Sequence, residues 1–537
     1  MNKLIAFVRK NKESIILISI LALAAIKIFN YVLLYPELSP NGAPEEFIID
    51  YTAGKNFAIK GFTKLFFLAD YSTDFQKDSP PIFATHTPSL SMIFNGLMIK
   101  LGLNVLQIRI TYAFVALFGV LFVFLFVRRI SNILAATISS FFLIFNYSGY
   151  IFWADHQVYS FYYTLFFGYL WARYTFPKKK YVIVPLIFLF TSLFSHIIWG
   201  YLLAAEIILY FFEKDKKLLL LSFLLSGVGI LSHLIRIILA LGIETAWYDF
   251  LFTLLNRVIS YPPKEILISL YQEHNLVLWG SSSFKASFID YLFNLARPFR
   301  QLGVQLFLGV IALFLLSIFR LGSSYKNLKI IITIFLAGFF WHIFFPAMAQ
   351  NYGIPFGLTS FLIVFLGLVL ADLAVVSYKI WFKKIPFFRN NIEATFLLVV
   401  LISLSGLSIA GQYFISFSYF GTDRDFLVEM EILKNYRGKT FFTNIFPTNV
   451  AFATKTWAVG SCSPRGLINL DTSWCQSKFV VKKEALVPDY ILISPRYSPF
   501  PCAEDCLKKL KEDLDSKYNL VEKINDGKSL IYKVGKN

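Results

Sequence analysis

Residues 178–217 read KKKYVIVPLIFLFTSLFSHIIWGYLLAAEIILYFFEKDKK. Lysines stand at both ends, and between Tyr181 and Phe212 the single charged residue is Glu206. Short lysine-rich segments mark the cytoplasmic side of a membrane. A chain that starts and finishes on that side has to cross and return within this stretch, which is too short for two ordinary spans of about 20 residues. The reading predicts two short helices meeting near Ser195-His196, in locally thin membrane.

The same pattern runs through the chain. Of 537 residues, 57% are hydrophobic, 18% aromatic and 16% charged, whereas soluble domains carry about 25% charged residues. The apolar residues come in blocks of span length, so the bilayer is the main solvent. The net charge of +18 would suggest nucleic acid in a soluble protein. Here the Lys and Arg residues sit in short segments between apolar blocks, and membrane topology accounts for them instead.

Lys3, Arg9, Lys10 and Lys12 precede the apolar run Ser14–Tyr35, which reads as an uncleaved signal-anchor helix with its N-terminus inside. Arg128-Arg129, Arg173 with Lys178–Lys180, Lys214–Lys217, Arg320–Lys329 and Lys379–Arg389 are the later cytoplasmic clusters. Since helix 1 runs outward and Arg128-Arg129 is again inside, one span fits between them. It is placed at 108–127, and the apolar 88–103 becomes a helix in the outer interface. Further spans are expected at 131–150, 157–175, 218–241, 301–320, 329–346, 354–377 and 393–415. The fold class is thus a polytopic α-helical membrane protein of about eleven spans in the cytoplasmic membrane. The transmembrane module occupies 1–420, and a small extracytoplasmic α/β domain occupies 421–537.

The aqueous pieces, 35–107, 242–300 and 421–537, all face outward in this topology. The tail has β-like runs at Lys439–Asn444 and Pro488–Ser494, a helix-like Ala503–Lys517, and a hairpin pair Asn519–Ile524 and Ser529–Val534 joined through Asn525-Asp526-Gly527. Cys462, Cys475, Cys502 and Cys506 all fall in this tail, where an oxidising compartment would form two disulfides. Three connectivities are open, with the local pairing Cys462–Cys475 and Cys502–Cys506 slightly favoured. Inside the spans, Glu206 and Arg236 are expected to form a structural ion pair, since a lone buried charge is expensive.

The residues that carry chemistry begin with Asp50-Tyr51-Thr-Ala-Gly54, about 15 residues past the first span, which holds a carboxylate just above the membrane. His86-Thr-Pro-Ser-Leu90, Leu101-Gly-Leu-Asn104, Arg109 at the head of the second span, and Asp155-His156 in the next outer turn follow. At these residues the chain resembles the C-type glycosyltransferases, whose transfer of a sugar from a lipid phosphate needs a base for the acceptor hydroxyl and cations for the departing phosphate. It needs no general acid, because phosphate leaves as a stable anion. Asp50 is the candidate base and Asp155 the second catalytic carboxylate. Arg109, Arg297 and Arg300 offer the planar donor fork that suits phosphate oxygens.

In the order and sidedness of these pieces the chain resembles the C-type glycosyltransferases. These multi-spanning enzymes include protein O-mannosyltransferases, lipid A aminoarabinose transferases and polyprenyl-phosphomannose-dependent mannosyltransferases. The resemblance covers residues 45–175 and the rest by topology. The chain departs from many relatives in having Tyr51 after the first Asp, and Gln350-Asn351-Tyr352 where an Arg-Tyr is common. The resemblance implies an inverting glycosyltransferase that moves one sugar from a polyprenyl-phosphate donor to a glycan, lipid or protein acceptor outside the membrane. Tyr51, His86, His156 and Tyr352 would line the pocket. A divalent metal held by the histidines and aspartates is a candidate cofactor. The competing reading is a transporter or flippase of a lipid-linked glycan, which would be expected to place its charges at the membrane midplane and to show repeated helix sets. A catalytically dead scaffold would leave Asp50 replaceable without loss.

Overall fold

A computed structural model describes residues 11–37, 44–145, 157–250, 328–344, 355–380, 424–470, 487–494 and 504–535, apart from positions within 74–87, 245–249, 445–446 and 461–463. Two compact units divide the chain. One comprises residues 1–42, 105–231 and 285–421, the other 43–104, 232–284 and 422–537.

The first unit is helical. Its elements are α1 (Lys12–Leu34), α4 (Val105–Ile130), α5 (Ile133–Phe145), α6 (Gln157–Thr175), α7 (Lys180–Phe194), α8 (His196–Glu213), α9 (Lys216–Leu241, whose last turns belong to the second unit), α10 (Leu328–Phe344) and α11 (Pro355–Ile380). Among the described residues, α1, α4, α8 and α9 are long and apolar enough to cross a membrane. The expected pair of short helices is present. α7 has 15 residues and α8 has 18, or about 22 and 27 Å of helix. Ser195 between them is extended and caps α8, its Oγ accepting from the Ile198 N–H. The expected spans 108–127, 131–150, 157–175, 218–241, 329–346 and 354–377 fall on α4, α5, α6, α9, α10 and α11. Those at 301–320 and 393–415 lie outside the described residues.

Charged helix ends are joined in ion pairs. Arg128 pairs with Glu13, Lys180 with Asp215 at 2.5 Å, and Lys329 with Glu213 at 2.8 Å. The expected Glu206–Arg236 pair does not form. Arg173 instead takes Glu206, with Nε at 3.0 Å and Nη2 at 3.1 Å, while its Nη1 reaches Glu213. Glu206 and Glu213 are seven residues apart on α8, two turns, so one guanidinium at the end of α6 serves both. Tyr169 adds a hydrogen bond to Glu206 at 2.5 Å. Arg236 bonds Ser232 Oγ at 3.1 Å and lies 5.8 Å from the Phe67 ring.

The second unit contains α2 (Pro44–Lys60), a two-stranded ribbon β1 (Ala69–Asp70) and β2 (Phe83–Ala84), α3 (Leu90–Lys100), and the tail elements α12 (Arg424–Leu433), β3 (Phe441–Thr443), α13 (Pro447–Thr454), β4 (Ala458–Gly460), α14 (Pro464–Asn469), β5 (Tyr490–Ile493), α15 (Glu504–Lys517), β6 (Asn519–Ile524) and β7 (Ser529–Lys533). The five-stranded sheet runs β4-β3-β5-β7-β6, parallel through β4, β3 and β5 and antiparallel at β7 and β6. Phe442, Ile491, Ile493, Leu530 and Tyr532 from the strands pack with Leu510 and Leu514, one turn apart on α15. The predicted hairpin is there. Asn525, Asp526 and Gly527 take φ of +52°, +56° and +82°, the backbone that Asn, Asp and Gly adopt most readily.

Candidate active site

The stretch read as an outer loop holds a helix. α2 begins at Pro44, and the sequence Pro44-Glu45-Glu46 there is a first-turn proline, whose missing N–H is no loss, followed by two acidic residues. These are start signals in the sequence, and the 35–107 reading passed over them. α3 has 11 residues, about 16 Å, too short to cross a bilayer core. α2 and α3 cross closely. A Cβ on Gly54 would lie 2.5 Å from the Asn95 Cβ, and one on Gly96 would lie 2.7 Å from the Phe57 Cβ, so both glycines are required by the approach of the backbones. Ala53 and Phe57 on α2 pack with Met92 and Ile93 on α3.

A buried polar network fixes the next segment against α2. Lys60 Nζ pairs with Asp70 Oδ2 at 2.7 Å and donates to Ser72 Oγ at 2.7 Å, while Ser72 N–H donates to Asp70 Oδ1 at 2.9 Å. Asn56 Nδ2 donates to the carbonyls of Asp70 and Ser72 at 2.8 and 2.7 Å. Ser89 Oγ accepts from the Ala69 N–H at 3.1 Å, and His233 bonds the Thr85 carbonyl at 2.9 Å. Lys60 and Asp70 meet through the bend between them, so sequence spacing does not reveal the pair.

Asp50 is buried on α2 at 5% exposure. Beside it, half-buried Tyr51 stacks on Phe47 at 6.0 Å and meets Phe452 of α13 edge-on at 5.6 Å. Burial raises the Tyr51 hydroxyl above its ordinary pKa. Thr73 Oγ1 donates to the Ala458 carbonyl at 2.6 Å. The tail domain therefore contacts the segment that carries Asp50, which the sequence reading had kept as separate pieces.

Arg109 belongs to the helical unit. It is buried at 1% exposure as the fifth residue of α4, and its Nη1 donates to the Tyr35 carbonyl just past α1. Asp155, His156, His86, Arg297, Arg300, Tyr352, Cys462, Cys475 and Cys502 lie outside the described residues. Cys506 lies on α15, and the disulfide pairing falls outside the description with its partners. Among the described residues, no group of three His, Cys, Asp or Glu could hold a metal ion.

No protein-family model and no curated protein matches this sequence. Solved structures do match its fold. Apo ArnT from Cupriavidus metallidurans is 11% identical with a TM-score of 0.56, the match covering 96% of this chain and 97% of that one. The Archaeoglobus fulgidus oligosaccharyltransferase, tethered to an acceptor peptide containing the NVT sequon, is 11% identical with a TM-score of 0.51, covering 99% of this chain and 75% of that one. The chain thus has several helices long and apolar enough to cross a membrane, and it shares its fold with ArnT and with this oligosaccharyltransferase.

Proposed function

We propose that this protein is an inverting glycosyltransferase that moves one sugar from a polyprenyl phosphate to an acceptor on the extracytoplasmic face of the cytoplasmic membrane. The observation that carries the proposal is the placement of Asp50. It is buried on the helix that follows α1, in a chain sharing its fold with ArnT and an oligosaccharyltransferase. ArnT from Cupriavidus metallidurans is also known bound to undecaprenyl phosphate.

In this reading the acceptor hydroxyl oxygen attacks the anomeric carbon from the face opposite the phosphate. The bond from that carbon to the phosphate oxygen breaks, and the hydroxyl proton passes to an Asp50 carboxylate oxygen. The lipid phosphate departs as an anion held by Arg109, Arg297 and Arg300. The reading also assigns Asp155 as the second carboxylate and gives Tyr51, His86, His156 and Tyr352 to the pocket. A lipid-glycan transporter is the weaker reading, because buried charges of the helical unit, Arg173 with Glu206 and Glu213, are taken up in ion pairs between helices.

Asp50→Asn keeps the side chain's size and removes its basic lone pair. In membranes supplied with donor, turnover is expected to fall about 10²–10⁴-fold with donor binding retained. A folded, inserted variant that transfers at the parental rate would pass the role of base to Asp155. Labelling of a cysteine at Lys100 or Asn104 from the outside alone is expected if α3 lies in the outer interface. Reaction from the cytoplasmic side alone would overturn that topology.

A further inference from the structure

Open α/β sheets bind ligands beyond the carboxyl ends of their parallel strands, where the chain reverses its direction across the sheet. In the tail the order β4-β3-β5 puts that point at β3 and β5, since the chain leaves β3 for β4 on one side and returns to β5 on the other. Asn444 and Ser494 directly follow these two strands and are buried. They join the strand ends, Asn444 Nδ2 donating to the Ser494 carbonyl at 2.7 Å and the Ser494 N–H donating to Asn444 Oδ1 at 2.9 Å. The eight-residue α13 starts three residues past Asn444. Its second and third residues, Thr448 and Asn449, are each 2% exposed. Among the described residues neither Thr448 Oγ1 nor Asn449 Oδ1 has a hydrogen-bond partner.

Two neighbouring polar atoms withdrawn from water are costly unless something bonds them. Helical side chains lean toward the N-terminus, which carries both oxygens to the strand-end side of α13. Asn449 Oδ1 is an acceptor and disfavours an anion, while the positive end of the α13 dipole disfavours a cation. A neutral group bearing hydroxyls meets both conditions. One hydroxyl donates to Asn449 Oδ1, and a second exchanges a hydrogen bond with Thr448 Oγ1. We propose that Thr448 and Asn449 form a subsite for the hydroxyls of an uncharged sugar. Phe452, four and three residues further on, shares their face of α13 and meets Tyr51 at 5.6 Å. The subsite is therefore on the side of α13 that faces the Asp50 helix. Calling the sugar the acceptor rests on the Asp50 reading, whereas the subsite itself rests on the two oxygens.

The test is hydrogen–deuterium exchange of the full chain in nanodiscs, read by mass spectrometry, with the methyl glycosides of mannose, glucose, galactose and arabinose, each against glycerol at equal concentration. At least one glycoside is expected to slow exchange across residues 441–460 roughly threefold, the effect of a ligand at about twice its Kd, while the 519–533 hairpin is unchanged. Thr448→Val keeps the side chain's shape and should abolish the protection without lowering the unfolding temperature, because no bond within the protein is lost. Thr448→Ser should keep the protection. No slowing by any of these glycosides overturns the subsite. So does a Thr448→Val variant that unfolds at clearly lower temperature, since the hydroxyl would then serve the protein itself. Stronger protection by glucose 6-phosphate than by methyl glucoside overturns the assignment to an uncharged sugar. Exchange needs no turnover, so these outcomes are separate from the fate of Asp50→Asn.

Discussion

Glu206 in the helical unit and Glu429 in the sheet unit are both buried carboxyl groups, and they are accommodated in different ways. Glu206 is fully buried against an equally buried Arg173, with Tyr169 completing its contacts. Glu429, on α12, is buried with the hydroxyls of Ser494 and Ser529 beside it and Asp425 nearby. Burial raises its pKa to about 7, the serine hydroxyls acting downward and Asp425 upward. A carboxylate removed from water takes either a cation or a proton. Asp70 follows the first course through Lys60, and Glu429 follows the second.

The largest expected effect is at the cation. Arg173→Ala leaves Glu206 buried without its partner and should destabilise the protein by about 3–5 kcal/mol in detergent unfolding. Arg173→Met with Glu206→Met should recover most of that loss, since apolar groups of similar size leave no charge behind. A double variant as unstable as the single one would mean that the pair does more than neutralise a buried acid.

Lys60→Met is the matching change in the second unit. Asp70 would keep its hydrogen bonds to Ser72, so the expected loss is roughly 3 kcal/mol rather than the full penalty. Asp70→Asn in the same background should restore part of it. Cleavage of the 61–89 segment by limited proteolysis follows the loss directly.

The proton-linked case has its own signature. The folded protein holds the Glu429 proton more tightly than the unfolded chain, whose carboxyl has a pKa near 4.5. The associated stability is therefore fully present below about pH 4.5 and is lost as pH rises through about 7. Between pH 5 and 7.5 the tail should lose roughly 2 kcal/mol from this group, followed through the fluorescence of buried Trp457 during chemical unfolding. Glu429→Gln should flatten that dependence. A pH profile unchanged by the substitution would place the proton elsewhere.

The smallest effect belongs to the hairpin. Gly527→Ala puts a Cβ at φ +82° and should destabilise the tail by about 1 kcal/mol. The pH profile of Glu429 should not change, because the turn holds backbone geometry rather than charge.

Much of this protein is determined by short-range pattern. Apolar run length fixes the helices that can cross a membrane, and parity of the lysine clusters requires the α7–α8 pair to turn at Ser195. Asn525-Asp526-Gly527 fixes the hairpin, since left-handed backbone is open to few residue types. In the candidate site, Asp50 and Tyr51 could be singled out because a carboxylate soon after an apolar run is visible in one dimension. Tertiary structure decided which charges meet. Arg173 and Glu206 are 33 residues apart, Lys60 and Asp70 meet across a bend, and Phe452 reaches Tyr51 from the far end of the chain. Coulomb attraction and ring contacts depend on distance in space, which neither spacing nor periodicity encodes once the chain turns back on itself. The expected Glu206–Arg236 pair failed for that reason: both charges were recognised as costly in a membrane, and the fold offered each a different neighbour.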